Sequence, residues 1–185
     1  AKAAGVEAPF ILVSGSIVYV GGSFTSIGGQ PRDNVAAVDV ATGQATSCTP
    51  NANSRVWALL DCGGTIFAAG DFTSIGGATR SRIAALDSGT GQATDWAADA
   101  DGGVIALARQ GSSILAGGAF HNIGGRMRSR IAALDPSTGG VTDWQPSETD
   151  SVVALASDGS RVFVACHAYP LGHVACFDAA SGQSV

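Results

Sequence analysis

The chain is poor in charge, in aromatic rings and above all in lysine. Of its 185 residues, 14% are charged and 6% aromatic, and Lys2 is the sole lysine. A net charge of −5 with so few cations argues against nucleic acid as a partner, because a phosphate backbone calls for basic patches. No run of 18 apolar residues occurs, so no segment reads as a membrane-spanning helix. There is no initiator Met and no charged-then-apolar leader, and the chain reads as a mature product or an excised fragment. No Ser-His-Asp set or carboxylate pair stands out, so no catalytic residue is assigned and no enzyme is expected. What is abundant is glycine, at 26 residues, beside an apolar fraction of 45%. That combination favours tight turns and short buried strands around a real core.

The glycines are periodic. "GGSFTSIGGQPR" at 21–32 returns as "AGDFTSIGGATR" at 69–80 and "GGAFHNIGGRMR" at 117–128. Phe24, Phe72 and Phe120 recur 48 residues apart, as do Asp39, Asp87 and Asp135, and Gly43, Gly91 and Gly139. Each unit holds short apolar runs bounded by Gly and Asp turns, which is a strand pattern rather than a helical one. Asp178 and Gly182 follow Asp135 and Gly139 by 43 residues, so a fourth copy has lost five residues between Cys166 and Cys176. Four strands in 48 residues is the size of a propeller blade. The fold class expected is all-β: a β-propeller of about four four-stranded antiparallel blades, complete or part of a larger ring. The blades fall near 8–48, 55–96, 103–144 and 151–185, within a single propeller domain or segment spanning 1–185.

The stretch "AGDFTSIGGATRSRIAALDSGTGQATDW" resembles the bacterial delta-60 β-propeller repeats of secreted and cell-surface proteins. In outline it is also similar to a kelch repeat: a strand ending in Gly-Gly, then Asp, Thr-Gly and Trp. The resemblance covers essentially the whole chain. It implies a secreted or cell-surface, bacterial setting. It implies little about activity, since propellers carry many unrelated functions. Unit one departs from the pattern where Cys48 replaces Trp, and unit four where the Phe-Thr loop is replaced.

A phosphate-binding loop needs glycines followed directly by a helix. Here a strand follows and the motif recurs, so Ile-Gly-Gly is expected to build turns. Arg32, Arg80 and Arg128 repeat with it and read as clamps on neighbouring carbonyls or carboxylates, an anion-binding ring being the sharper alternative. Asp39, Asp87, Asp135 and Asp178 read as acceptors for turn N–H groups.

Strands alternate in direction within a blade, so these loops share a face with the loops that link blades. That face gathers the candidate ligand residues. Asp99, Asp101, Glu148 and Asp150 form an acidic group on which Ca²⁺ is conceivable, although no full calcium loop is matched and no cofactor is otherwise expected. His121, His167 and His173 fall on the same face, the last two flanking "AYPLG" with Tyr169; a three-His metal site is the bolder reading and a tight turn the plainer one. Trp57 is a stacking platform or, more in keeping with its strand, a core residue.

Four cysteines without a C-x-x-C pair favour disulfides over metal, and an oxidising compartment. Cys166 and Cys176 lie on neighbouring antiparallel strands and are expected to pair. Cys48 and Cys62 would close a loop of about 15 residues, worth roughly 3 kcal/mol in the chain-entropy account. The expected function is a secreted, non-enzymatic binding module that recognises a glycan or protein through the loop-bearing face. The alternatives are a homo-oligomer or subunit of an extracellular assembly joined by blade-edge pairing, and the scaffold of a polysaccharide-active enzyme.

Overall fold

The structure is a computed structural model that describes residues 10–147, 150–167 and 172–185. Glu148 and Tyr169 lie outside the described residues. Among those residues every regular element is a strand. The first repeat contributes β1 (Phe10–Ser14), β2 (Ile17–Gly21), β3 (Ser26–Ile27), β4 (Gln30–Pro31) and β5 (Val35–Asp39). The second contributes β6 (Val56–Asp61), β7 (Thr65–Gly70), β8 (Ser74–Ile75), β9 (Ala78–Thr79) and β10 (Ile83–Asp87). The third contributes β11 (Val104–Gln110), β12 (Ser113–Gly118), β13 (Asn122–Ile123), β14 (Arg126–Met127) and β15 (Ile131–Leu134). The fourth contributes β16 (Ser151–Ser157), β17 (Arg161–His167) and β18 (His173–Asp178).

Each repeat is an antiparallel three-stranded sheet with its second strand in the middle, and in the first three repeats a two-residue hairpin caps the loop. The expected fourth strand is reduced to one antiparallel bridge per repeat: Val38–Ala45, Leu86–Ala93, Leu134–Val141 and Phe177–Ser184. The cause is visible in the first three repeats. The next carbonyl along, that of Thr46, Thr94 or Thr142, accepts a hydrogen bond from the Arg32, Arg80 or Arg128 guanidinium. In the fourth repeat the Val185 N–H reaches Cys176 O as Thr142 N–H reaches Ala133 O, so the five-residue deletion is absorbed wholly in the loop.

The chain divides into two compact units, Ala1–Asp95 and Trp96–Val185, each holding two repeats. Within each, one sheet packs face to face on the next, and the same positions meet. In the first unit Tyr19, Val35 and Ala37 from one face of the first sheet join Leu59, Ile66, Ala84 and Leu86 of the second in one core cluster. In the second unit Leu115, Ile131 and Ala133 meet Val152, Val162, Val164 and Phe177. Gly21 allows the closest approach: a Cβ there would lie 2.9 Å from Val56. Gly117 holds the same place against Val152 and Leu155. Fully buried side chains such as Ile66 and Leu115 each contribute about 1.5–3 kcal/mol.

Trp96 belongs to the second unit for a visible reason. Its indole N–H donates to Asp135 O at 3.0 Å, and Trp144 repeats this to Asp178 O at 3.3 Å. Each tryptophan fastens the end of one repeat to the Asp turn of the next. Cys48 holds that place in the first repeat and lies buried against Tyr19, Pro50 and Leu86.

The structure forms no disulfide. Register explains why Cys166 and Cys176 do not pair: Cys166 stands opposite His173, whereas Cys176 stands opposite Phe163. Three residues of strand separate them, about 10 Å at the usual rise, beyond the reach of a bridge. An odd separation also puts them on opposite faces of the sheet. Cys48 and Cys62 are not bridged either: Cys48 is packed in the first unit's core, and Cys62 closes the β6–β7 hairpin with its N–H on Thr65 O. The argument for an oxidising compartment loses its support with them.

A bulge interrupts β6 between Val56 and Ala58, and the same irregularity recurs in β11 and β16. Trp57 is therefore the extra residue of the bulge and not a core residue. It sits half-buried, with Arg55 stacked 4.0 Å above its ring and its indole N–H on Asp71 Oδ2 at 2.7 Å.

Candidate functional site

The loop after the second strand is self-contained in the first three repeats. Phe72 and Phe120, with Ile75 and Ile123, are completely buried, and Phe24 and Ile27 nearly so. Between Ile and the next strand the two glycines take positive φ, +59° at Gly76 and +78° at Gly77, which turns the hairpin. The arginine that follows clamps two carbonyls: Arg80 reaches Thr79 O at 2.9 Å and Thr94 O at 2.6 Å. Arg128 does the same to Met127 O and Thr142 O, and Arg32 to Pro31 O and Thr46 O. These guanidiniums close the repeat; they do not form an anion ring. Arg82 and Arg130, both at φ +71°, donate to Asp71 O and Ala119 O within their own loops.

The four turn aspartates are likewise engaged. Asp39 accepts from the Thr42 N–H and hydroxyl, and Asp87 from those of Thr90. Asp135 and Asp178 accept from Ser137 and Ser181 in the same way. These hydrogen bonds hold all four carboxyls below the ordinary range, led by the Thr42 N–H at Asp39 and by the serine or threonine hydroxyl at the others.

The linking loops meet the glycine loops on one face, as the alternation of strands requires. Ala52 bridges Ile75, and Ala100 bridges Ile123. Next to each bridge stands a capping side chain. Asn53 Oδ1 accepts from the Thr73 and Ser74 N–H groups at 2.9 and 3.1 Å. Asp101 Oδ1 accepts from the His121 and Asn122 N–H groups at 2.8 and 3.0 Å, while Asp101 Oδ2 accepts from the Asn122 amide at 2.7 Å. Together these pull the Asp101 carboxyl down to about 2, the Asn122 N–H contributing most. Asp101 and His121 are thus brought together, but as a loop lock. Asp99 takes part through its carbonyl, which accepts from the Gly124 N–H at 3.0 Å.

The fourth repeat lacks the plug, the glycine pair and the arginine. Here the structure joins two other candidates: His173 Nδ1 lies 3.8 Å from Asp150 Oδ2, with both side chains nearly half exposed. His167 stands exposed at the end of β17, opposite Ser151. Asp150, His167 and His173 therefore flank one loop mouth. Among the described residues no three His, Cys, Asp or Glu side chains gather as a metal site, so neither the three-histidine reading nor the four-acid reading has a geometric centre there. Sequence reasoning did not anticipate the partnership of Trp57 with Arg55 and Asp71; a two-for-one bulge leaves no signature in hydrophobic alternation.

The family described as a domain of unknown function (DUF5122) β-propeller matches residues 14–36 and 64–89, which are the second strand, the glycine loop and the start of the third strand in the first two repeats. The chain is a β-propeller repeat protein. Solved structures share the fold. The propeller superposes on the computationally designed Ika8 protein with a TM-score of 0.65 at 18% identity, covering 95% of this chain and 46% of that one. BamB from Moraxella catarrhalis gives 0.60 at 23% identity, covering 92% and 45%. The extracellular domain of BT4673 from B. thetaiotaomicron gives 0.63 at 10% identity, covering 100% and 22%. The propeller thus spans about half the length of the first two and less of the third. No curated protein matches the sequence. Among the described residues no helix is long and apolar enough to cross a membrane.

Proposed function

We propose that this propeller is a secreted or cell-surface binding module, without catalytic activity, that recognises a glycan or protein through its loop-bearing face. One observation carries the reading. In three repeats the loop's polar groups are engaged by the repeat itself, whereas the fourth presents Asp150, His167 and His173 around a loop of different sequence. A carboxylate beside imidazoles offers hydrogen-bond acceptors and donors that suit sugar hydroxyls or a polar peptide. Similarity in fold to an extracellular domain is consistent with the location. Delta-60 and kelch-like membership remain resemblances, carried by the Phe-Thr loop, the Asp and Thr-Gly turn and the Trp.

The test immobilises the chain and measures capture of bacterial surface polysaccharides and surface proteins, with Asp150→Ala plus His173→Ala as the comparison. Binding that the double variant loses supports the site. Binding that it keeps, or product release from a polysaccharide by the wild-type chain, counts against the reading.

A further inference from the structure

The two faces that end the row of repeats are apolar and exposed. On the last sheet this face carries Phe163, Ala165 and Val174 and forms a shallow apolar depression together with Ala154 and Ala156. Register makes Val174 the counterpart of Val35 and Ile131, since each stands opposite the small residue of the middle strand. Val35 and Ile131 are each 1% exposed, yet Val174 is 72% exposed. On the first sheet the opposite face carries Ile11 and Val13, exposed at 60% and 64%. Ile11 is the counterpart of Leu59 and Leu155, judged by pairing with Val20, Ala68 and Val164. Leu59 and Leu155 are the residues that press on Gly21 and Gly117 within the two units. Val13 is apolar where the other repeats place Asp61, Arg109 and Ser157.

These two surfaces are the two halves of one interface that the protein already builds in each unit. We propose that a second copy of this chain covers the exposed face of the fourth repeat, head to tail, with Ile11 of one copy seated on Ala165 and Val174 of the other. The contact is heterologous, face against face, and differs from the strand-edge pairing expected from the sequence. It continues a packing mode seen twice, between complementary apolar surfaces, and exposed apolar faces of this kind mark association sites.

The test uses the 185-residue chain in size-exclusion chromatography with light scattering, and native mass spectrometry. Wild type is expected to associate. Val174→Lys and Ile11→Asp each spoil one half of the interface, so each is expected to weaken association at least tenfold; both positions are exposed, and unchanged circular dichroism checks the fold. Because each variant keeps the half that the other lacks, an equimolar mixture restores a heterodimer. A monomeric wild type, association that survives either single variant, or a mixture that forms no heterodimer overturns the proposal.

Discussion

Replacing Trp96 by Phe separates the two things that this side chain does. The ring is 6% exposed, and its N–H donates to Asp135 O at 3.0 Å. Phe keeps most of the ring and removes the donor. Asp135 O still accepts from the Gly139 N–H, so no acceptor is orphaned and the cost stays near a net hydrogen bond, about 1 kcal/mol. The smaller ring forgoes roughly 40 Å² of buried apolar area, about 1 kcal/mol more. The sum, about 2 kcal/mol, lowers the melting temperature by roughly 4–8 °C if the chain melts cooperatively. Trp96→Ala leaves a cavity and should cost about 3–5 kcal/mol. Trp144→Phe should cost less than Trp96→Phe, since that bond is 3.3 Å long and the ring only half-buried. Urea unfolding followed by circular dichroism measures all three. Trp96→Phe as stable as wild type, or Trp144→Phe the more damaging, would refute the claim that the indole N–H fastens one repeat to the next.

The two loop glycines should differ in cost. A Cβ on Gly76 would lie 2.5 Å from Ala93 N, whereas one on Gly77 meets open space, so Gly76→Ala should lose several kcal/mol and Gly77→Ala only about 1–2 kcal/mol in thermal melts. The Asp101 lock should yield to acid. Its folded pKa of about 2 lies below the ordinary value, so its stabilisation is full above about pH 4 and is lost as pH falls towards 2. Hydrogen exchange should then show the Asn122 amide opening in acid while that of Ser74, capped by neutral Asn53, does not respond, and Asp101→Asn should remove the difference. Titration with a thiol reagent in denaturant without reductant should return four thiols; two or none would restore the bridges. In the native protein Cys48 should react slowly, because burial first of all raises its pKa.

Most of the fold was legible because the repeat was. Identical spacing of Phe, Asp and Gly exposes the unit, and the deletion in the fourth copy is placed by Asp178 and Gly182, whose turn repeats that of Asp135 and Gly139. The length of the outer strand was not legible, since no alternation of side chains reveals that a guanidinium intercepts the next carbonyl. The disulfide error came from treating neighbouring strands as sufficient: register and face decide, and the aligned Ala133, opposite Leu115 and not Gly118, already contains the three-residue offset. At the loop face, shared placement of the acids and histidines was read correctly. Which of them lock loops, as Asp101 does, depends on backbone N–H groups that sequence does not mark.

The bulge at the start of each repeat has a consequence for change over time. Val56, Val104 and Val152 on one side of it are at most 1% exposed, and alanine follows it at 58, 106 and 154, while the extra residue itself is Trp, Ile or Val. That residue has no partner across the ladder to constrain it. Positions 57, 105 and 153 are therefore evenly spaced sockets on an unchanging frame, where new chemistry can be grafted or can drift without disturbing what lies beneath.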